Sequence, residues 1–211
     1  MNFMQIALTT RCNFSCTYCP MAQWRNAEPK YPLKADELIQ FLEAYVDAND
    51  WIIELTGGEP GCFPGIDKLC SWLSEHKYRT LIKTNGSMPL NPYPGITRVA
   101  AFHNLDNPPK YFDKYLIINT DGREEKEEYC KKHGIDYRVI GFNREQLDEM
   151  RNGFERTAFI NPAGHQIGCQ AERAIERDEG TDDWNRINHR DLRTRPACPS
   201  CKILNDAWRF L

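Results

Sequence analysis

The stretch "CNFSCTYC" (12–19) sets three cysteines in eight residues, in the pattern CxxxCxxC. It follows directly on "FMQIALT" (3–9), an apolar run that reads as a β-strand. In parallel β/α folds, functional side chains gather on loops at the carboxyl ends of strands. Three thiols packed into such a loop point to a metal. A structural zinc site needs a fourth ligand and usually a second knuckle. An iron–sulfur cubane normally takes four thiolates, so three from the protein leave one iron open.

The chain downstream repeats a strand-then-crossover rhythm. "ADELIQFLEAYVDAN" (35–49) puts Leu38, Phe41, Leu42 and Tyr45 on one helical face. "WIIELT" (51–56) is a second buried strand. "GIDKLCSWLSEHK" (65–77) is a helix with Ile66, Leu69, Cys70 and Leu73 at core spacing. "RTLIKT" (79–84), "ITRVAAF" (96–102), "YLIINT" (115–120) and "YRVIGF" (137–142) are four more strands. "REEKEEYCKKHG" (123–134) and "NREQLDEMRNGF" (143–154) read as helices. The links "GSMPLNPYPG" (86–95) and "NLDNPPKYFD" (104–113) are too rich in proline for a regular helix. The fold class is therefore α/β. Its sheet is parallel with covered faces, an abbreviated, open, partial barrel in which two crossovers shrink to loops.

Bulk composition narrows the setting. The 211 residues are 41% hydrophobic and 27% charged, with a net charge of −3. That is ordinary for a globular protein and gives no global pull toward nucleic acid or anionic membrane. No basic leader or membrane-length apolar run is seen, so a cytoplasmic location without membrane association is expected. Nine cysteines in that compartment call for metal or redox chemistry rather than disulfides.

At the end of the second strand stands "GGEP" (57–60). Together, "CNFSCTYC" and "GGEP" at successive strand ends resemble the radical S-adenosylmethionine (SAM) enzymes. The resemblance covers roughly residues 3–142 and implies that family's partial (β/α)6 barrel. It implies that Cys12, Cys16 and Cys19 each ligate one iron of an oxygen-sensitive [4Fe–4S] cluster, with SAM chelating the fourth. Tyr18 would sit near the adenine, and Gly57, Gly58 and Glu59 would receive the methionine ammonium. Thr84 and Asn85 in "KTNG" (83–86) would contact methionine or ribose, or else form a plain strand-ending turn. His103 and Asn104 occupy the usual ribose region, although the family more often has Ser or Asp there. Ile140 and Gly141 would line the adenine or simply fill core. The implied chemistry is one-electron cleavage of SAM, with a reduced flavodoxin- or ferredoxin-type donor, to a 5′-deoxyadenosyl radical that takes hydrogen from substrate.

The division expected is a barrel domain over 1–154 and a C-terminal extension over 155–211. "TAFINPAGHQIGCQ" (157–170) reads as a hairpin, and "CPSC" (198–201) as a knuckle. The hairpin resembles the opening of the SPASM or twitch extensions of radical SAM enzymes. That implies a cysteine-rich extension holding a second, auxiliary [4Fe–4S] cluster on Cys169, Cys198 and Cys201. The alternative is a Cys3His zinc site completed by His165 or His189. Either metal would staple a tail too small and polar for its own core. Cys70 and Cys130 read as structural. Arg186, Arg190, Arg193 and Arg195 form either a solvated segment or a clamp for phosphate or carboxylate.

Three function classes follow. The first is a SAM-radical enzyme acting on a peptide, a nucleotide or a modified nucleic acid. The second is an activase that installs a glycyl radical on a partner enzyme. The third is a non-catalytic iron–sulfur module, which an intact "GGEP" disfavours.

Overall fold

The computed structural model describes residues 2–16, 19, 22, 25–29, 32–118, 122–140, 156–160, 166–167 and 195–196. At Ile118, at Ile140 and in the strands after 155, Ile160 excepted, only the backbone is described. The elements run β1 (Asn2–Ala7), α1 (Ala35–Tyr45), β2 (Trp51–Thr56), α2 (Ile66–Glu75), β3 (Arg79–Thr84), β4 (Ile96–Ala101) and β5 (Lys114–Ile118). They continue with α3 (Arg123–His133), β6 (Tyr137–Ile140), β7 (Arg156–Ile160), β8 (Gln166–Ile167) and β9 (Arg195–Pro196). The expected helix over 143–154 lies outside the described residues.

These strands build one sheet in the order β6-β5-β4-β3-β2-β1-β7-β8, with β9 also on β7. β1 through β6 pair in parallel, each with its sequence neighbour. Among the described residues nothing joins β6 to β8, so the sheet stays open. This is the expected abbreviated α/β partial barrel. β3–β4 and β4–β5 connect without a helix, as the prolines require. β7, placed by the sequence reading in the C-terminal extension, runs parallel to β1 in this same sheet, Phe3 opposite Thr157.

One face of the sheet carries two helix-covered cores. Met4, Ile6, Ile53, Leu55 and Ile82 pack with Leu38, Phe41 and Leu42 of α1 and with Leu69, Cys70 and Leu73 of α2. Farther along, Ala100, Tyr115, Ile117 and Cys130 of α3 form a second cluster. Cys70 and Cys130 are thus core residues, 1% and 0% exposed. Tyr45, expected on the core face of α1, is 41% exposed. The helix ends there: the Tyr78 hydroxyl donates to the Val46 carbonyl at 2.7 Å and to that of Leu42 at 3.3 Å. Leu42 O also accepts the last helical bond, from Val46 N–H at 2.9 Å, and the Tyr78 hydroxyl covers the carbonyl of Val46 just past it.

Strand alternation sends the other set of side chains to the opposite face. Phe3, Ile52, Leu81, Val99 and Leu116 are all buried there. So are Gln5 and Glu54, 3% and 0% exposed, with the part-exposed Lys83 beside them. No helix of the described residues is long and apolar enough to cross a membrane.

Candidate functional site

The cysteine loop continues the β1–β2 ladder. Leu8 N–H donates to the Thr56 carbonyl at 2.9 Å. Gly58 N–H then donates to Thr9 O at 2.6 Å, and Glu59 N–H to Arg11 O at 2.7 Å. The "GGEP" loop is thus zipped to the residues that lead into Cys12. That contact explains both glycines. Gly57 has φ +119°, and a Cβ on it would lie 2.6 Å from Thr9 O. A Cβ on Gly58 would stand 2.1 Å from Arg11 O. Only a residue without a side chain permits the approach.

A second strand of chain braces the loop from outside. Asn26, at φ +61°, accepts from Cys12 N–H through Oδ1 at 2.9 Å, and its own N–H donates to Thr10 O at 3.0 Å. Thr10 Oγ1 donates to the Ala27 carbonyl, and Arg11 pairs with Glu28. Arg25 reaches the Cys16 carbonyl at 3.4 Å. Within the loop, Cys19 N–H donates to Cys16 O at 3.3 Å.

Cys12, Cys16 and Cys19 are all partly exposed and free of disulfides. Phe14 N–H lies 3.5 Å from Cys12 Sγ, Asn85 Nδ2 4.0 Å from it, and His103 Nδ1 3.8 Å from Cys16 Sγ. Among the described residues, no three His, Cys, Asp or Glu side chains converge on a single ion. A cubane does not ask for such convergence, because each thiolate binds a different iron. Three accessible thiols on one loop, with nitrogens beside two of the sulfurs, fit a cluster of that kind.

Asn85, His103 and Asn104 share one cleft of about 120 Å³ with Phe14 and Pro109. Phe14 meets the His103 ring edge-on, centroids 5.6 Å apart. Burial, and then the Lys126 charge, holds His103 below the usual histidine range. The Asn85 amide bridges to the cysteine loop: Nδ2 donates to Asn13 Oδ1 at 2.8 Å, and Oδ1 accepts from Ser87 N–H at 3.0 Å. Asn13 in turn donates to Ser87 Oγ at 2.7 Å. Sequence reading missed Asn13 and Ser87. Their one signal was adjacency to Cys12 and to "KTNG".

Glu59 and Thr84 do something different. The Glu59 side chain is wholly buried. Its carboxylate accepts from Thr84 Oγ1 and Asn85 N–H, each at 2.7 Å, and from Gly61 N–H at 3.0 Å. The Thr84 hydroxyl also accepts from Gly86 N–H at 2.9 Å. Thus Glu59 ties the rim of β2 to the rim of β3, and Thr84 is the strand-ending turn. Burial lifts the Glu59 carboxyl above its ordinary value, against the pull of those three donors. Cys62, just past this loop, is also raised, by burial first and then by the Glu59 and Cys12 charges.

Tyr18, Gly141, Cys169, Cys198 and Cys201 lie outside the described residues, as do His165, His189, Arg186, Arg190 and Arg193. For Ile140 and Arg195 only the backbone is described; Ile140 pairs with Ile118.

Comparison with known proteins agrees with this architecture. The family model of the Radical SAM superfamily matches residues 6–156. Over 80 residues the chain is 36% identical to the 7-carboxy-7-deazaguanine synthase of Methanothermobacter thermautotrophicus, covering 38% of this chain and 32% of that enzyme. Over 87 residues it is 36% identical to the mitochondrial GTP 3',8-cyclase of Arabidopsis thaliana, covering 40% of this chain and 22% of that one. The matched stretches thus span a third of these relatives or less. Streptococcus suis SuiB, solved bound to S-adenosylmethionine, superposes with a TM-score of 0.59 at 15% identity, covering 82% of this chain and 61% of that one.

Proposed function

Because the chain belongs to the radical SAM superfamily, we propose that it is an enzyme holding a [4Fe–4S] cluster on Cys12, Cys16 and Cys19. Bound there, the cluster and SAM would supply hydrogen-abstracting radical chemistry, with the electron drawn from a flavodoxin- or ferredoxin-type donor. The observation that carries the reading is the zip between the glycine loop and the cysteine loop, which fixes the two halves of a SAM site against each other.

The chain's own residues divide the work. Cys12, Cys16 and Cys19 ligate iron. The backbone carbonyls of Gly57 and Gly58 accept from the methionine ammonium, since the Glu59 carboxylate is already occupied by Thr84, Asn85 and Gly61. Asn85, His103 and Asn104 line the ribose side, and Tyr18 and Ile140 the adenine side. His103 offers a ring nitrogen there that donates or accepts a hydrogen bond according to its tautomer. The sheet's buried face holds the target C–H against C5′ and excludes water.

The substrate is a nucleotide or a nucleobase carried on nucleic acid. Support comes from two relatives named for GTP and for a deazaguanine. A peptide substrate is the second reading, since SuiB is also solved bound to precursor peptide SuiA. Cys169, Cys198 and Cys201 would hold the auxiliary cluster, a reading supported by their spacing. Replacing all three by alanine should then halve the iron content, whereas a zinc site would lose zinc and keep the iron.

The central test is anaerobic reconstitution, reduction with dithionite, and chromatographic detection of 5′-deoxyadenosine. The expected result is cleavage of SAM by the wild type and none by Cys16→Ala. Absence of cleavage by an iron-loaded wild-type protein under any reductant overturns the reading.

A further inference from the structure

Three polar side chains sit side by side on the inner face of the sheet: Gln5 of β1, Glu54 of β2 and Lys83 of β3. Gln5 and Glu54 are register partners, and Gln5 Nε2 donates to Glu54 Oε1 at 2.5 Å. Lys83 Nζ lies 3.3 Å from the same Oε1. The second carboxylate oxygen, Oε2, is buried and has no hydrogen-bond partner among the described residues. Glu54 is 0% exposed, so water does not compensate it.

Such an orphan is costly. A buried acceptor without a donor gives up its hydration for nothing in return, and the loss is larger when the group is charged. The core across the sheet does not need it: Ile53 and Leu55, its neighbours in sequence, pack with the helices. Glu54 also precedes Gly57 by three residues, which places it about 10 Å along the strand from the glycine loop. That is beneath the rim where the cysteines stand.

We infer that Gln5, Glu54 and Lys83 form the floor of the substrate site and read the hydrogen-bonding edge of a nucleobase. This deepens the proposed function and rests on it. The chemistry selects the ligand. Oε2 requires an N–H donor. A cationic amine is disfavoured, because the Lys83 ammonium already neutralises Glu54 and a second cation beside it would be repelled. A neutral N–H next to an acceptor suits the pair: the N–H serves Oε2, and the acceptor takes a hydrogen bond from the ammonium, which has three donors. Nucleobase edges present donor and acceptor side by side in this way. A trans peptide unit does not, because its N–H and C=O point to opposite sides. Entry is over Lys83, whose side chain keeps 19% exposure.

The test uses anaerobic holoenzyme with SAM and no reductant, so that nothing turns over. Guanosine, uridine, adenosine and cytidine 5′-monophosphates are titrated calorimetrically. At least one should bind, and methylation of the nitrogen that donates to Glu54 should weaken it about tenfold or more. Glu54→Gln should weaken it to a similar degree, provided its melting curve shows a folded protein. If that variant does not fold, the methylated ligand on the wild-type protein still decides. Binding by none of the four, or binding indifferent to methylation, overturns the inference. Either result leaves the proposed function standing as long as the reduced wild type releases 5′-deoxyadenosine; loss of that release is the separate failure of the function itself.

Discussion

Replacing Gly58 by alanine should unseat the cluster. The added Cβ would stand 2.1 Å from the Arg11 carbonyl oxygen, a backbone atom that cannot rotate away. Ordinary contact requires the two segments to part by about 1 Å. The bonds from Gly58 N–H and Glu59 N–H, now 2.6 and 2.7 Å, then stretch beyond useful length. Losing two such bonds costs about 1 kcal/mol each. In a chain of this size, about 2 kcal/mol lowers the melting temperature by roughly 4–8 °C. Cys12 follows Arg11 directly, so the first of the proposed iron ligands moves with it. The assay pairs thermal melting with iron and sulfide content after anaerobic reconstitution. Gly95→Ala is the control: φ is +77° there, but a Cβ meets nothing within 4 Å. It should cost about 1 kcal/mol of backbone strain and leave iron loading intact. A Gly58→Ala protein that melts with the wild type and loads full iron would refute the argument that the two loops are held by backbone contact.

Other expectations follow from the same geometry. The Glu59 carboxyl is raised in the folded state, so its contribution is greatest below the ordinary 4.5 and is lost as pH rises through the folded value. The stability difference between wild type and Glu59→Gln should therefore shrink with rising pH across that window; a constant difference in melting temperature counts against it. Asp113 behaves oppositely. Burial pushes its carboxyl up, but hydrogen bonds from Arg98, at 2.7 Å to both the backbone and a guanidinium nitrogen, leave it below the ordinary 3.8. Its advantage over Asp113→Asn should hold above pH 3.8 and vanish as pH falls through the depressed value, measured by acid titration of folded fraction. Cys70→Ala and Cys130→Ala remove buried thiols from the two cores, so each should lower the melting temperature by a few degrees and leave the iron content unchanged. Iron loss in either would give that cysteine a role beyond packing.

Much of this architecture was legible in the chain because the signals were local. "WIIELT" and "RTLIKT" are apolar runs between turn residues, and β2 and β3 fill them from end to end. The Ile66, Leu69, Cys70, Leu73 stripe of α2 is buried as its period demands. What local pattern cannot carry is a partner far along the chain. The end of α1 is covered by the Tyr78 hydroxyl, 32 residues beyond Val46. Glu59 reads as a ligand-facing acid until Thr84 and Asn85, 25 and 26 residues on, are seen to occupy it. The glycines of "GGEP" are legible as points of close approach, but not that the approaching group is the chain's own Thr9–Arg11 backbone. The polar residues inside three apolar strands were in plain view; their adjacency needed the register.

The bracing of the cysteine loop bears on how such a motif can be transplanted. Eight contiguous residues hold the three proposed iron ligands, yet the chain that leads into them, Thr9–Cys12, is held by Asn26–Glu28 on one side and Gly57–Glu59 on the other. Grafted alone onto another scaffold, "CNFSCTYC" would be a flexible chelator, with its thiols free to choose any metal and any spacing. The smallest portable unit is therefore three separated pieces of chain together with the two strands that align them, which makes the motif a property of a sheet edge rather than of a peptide.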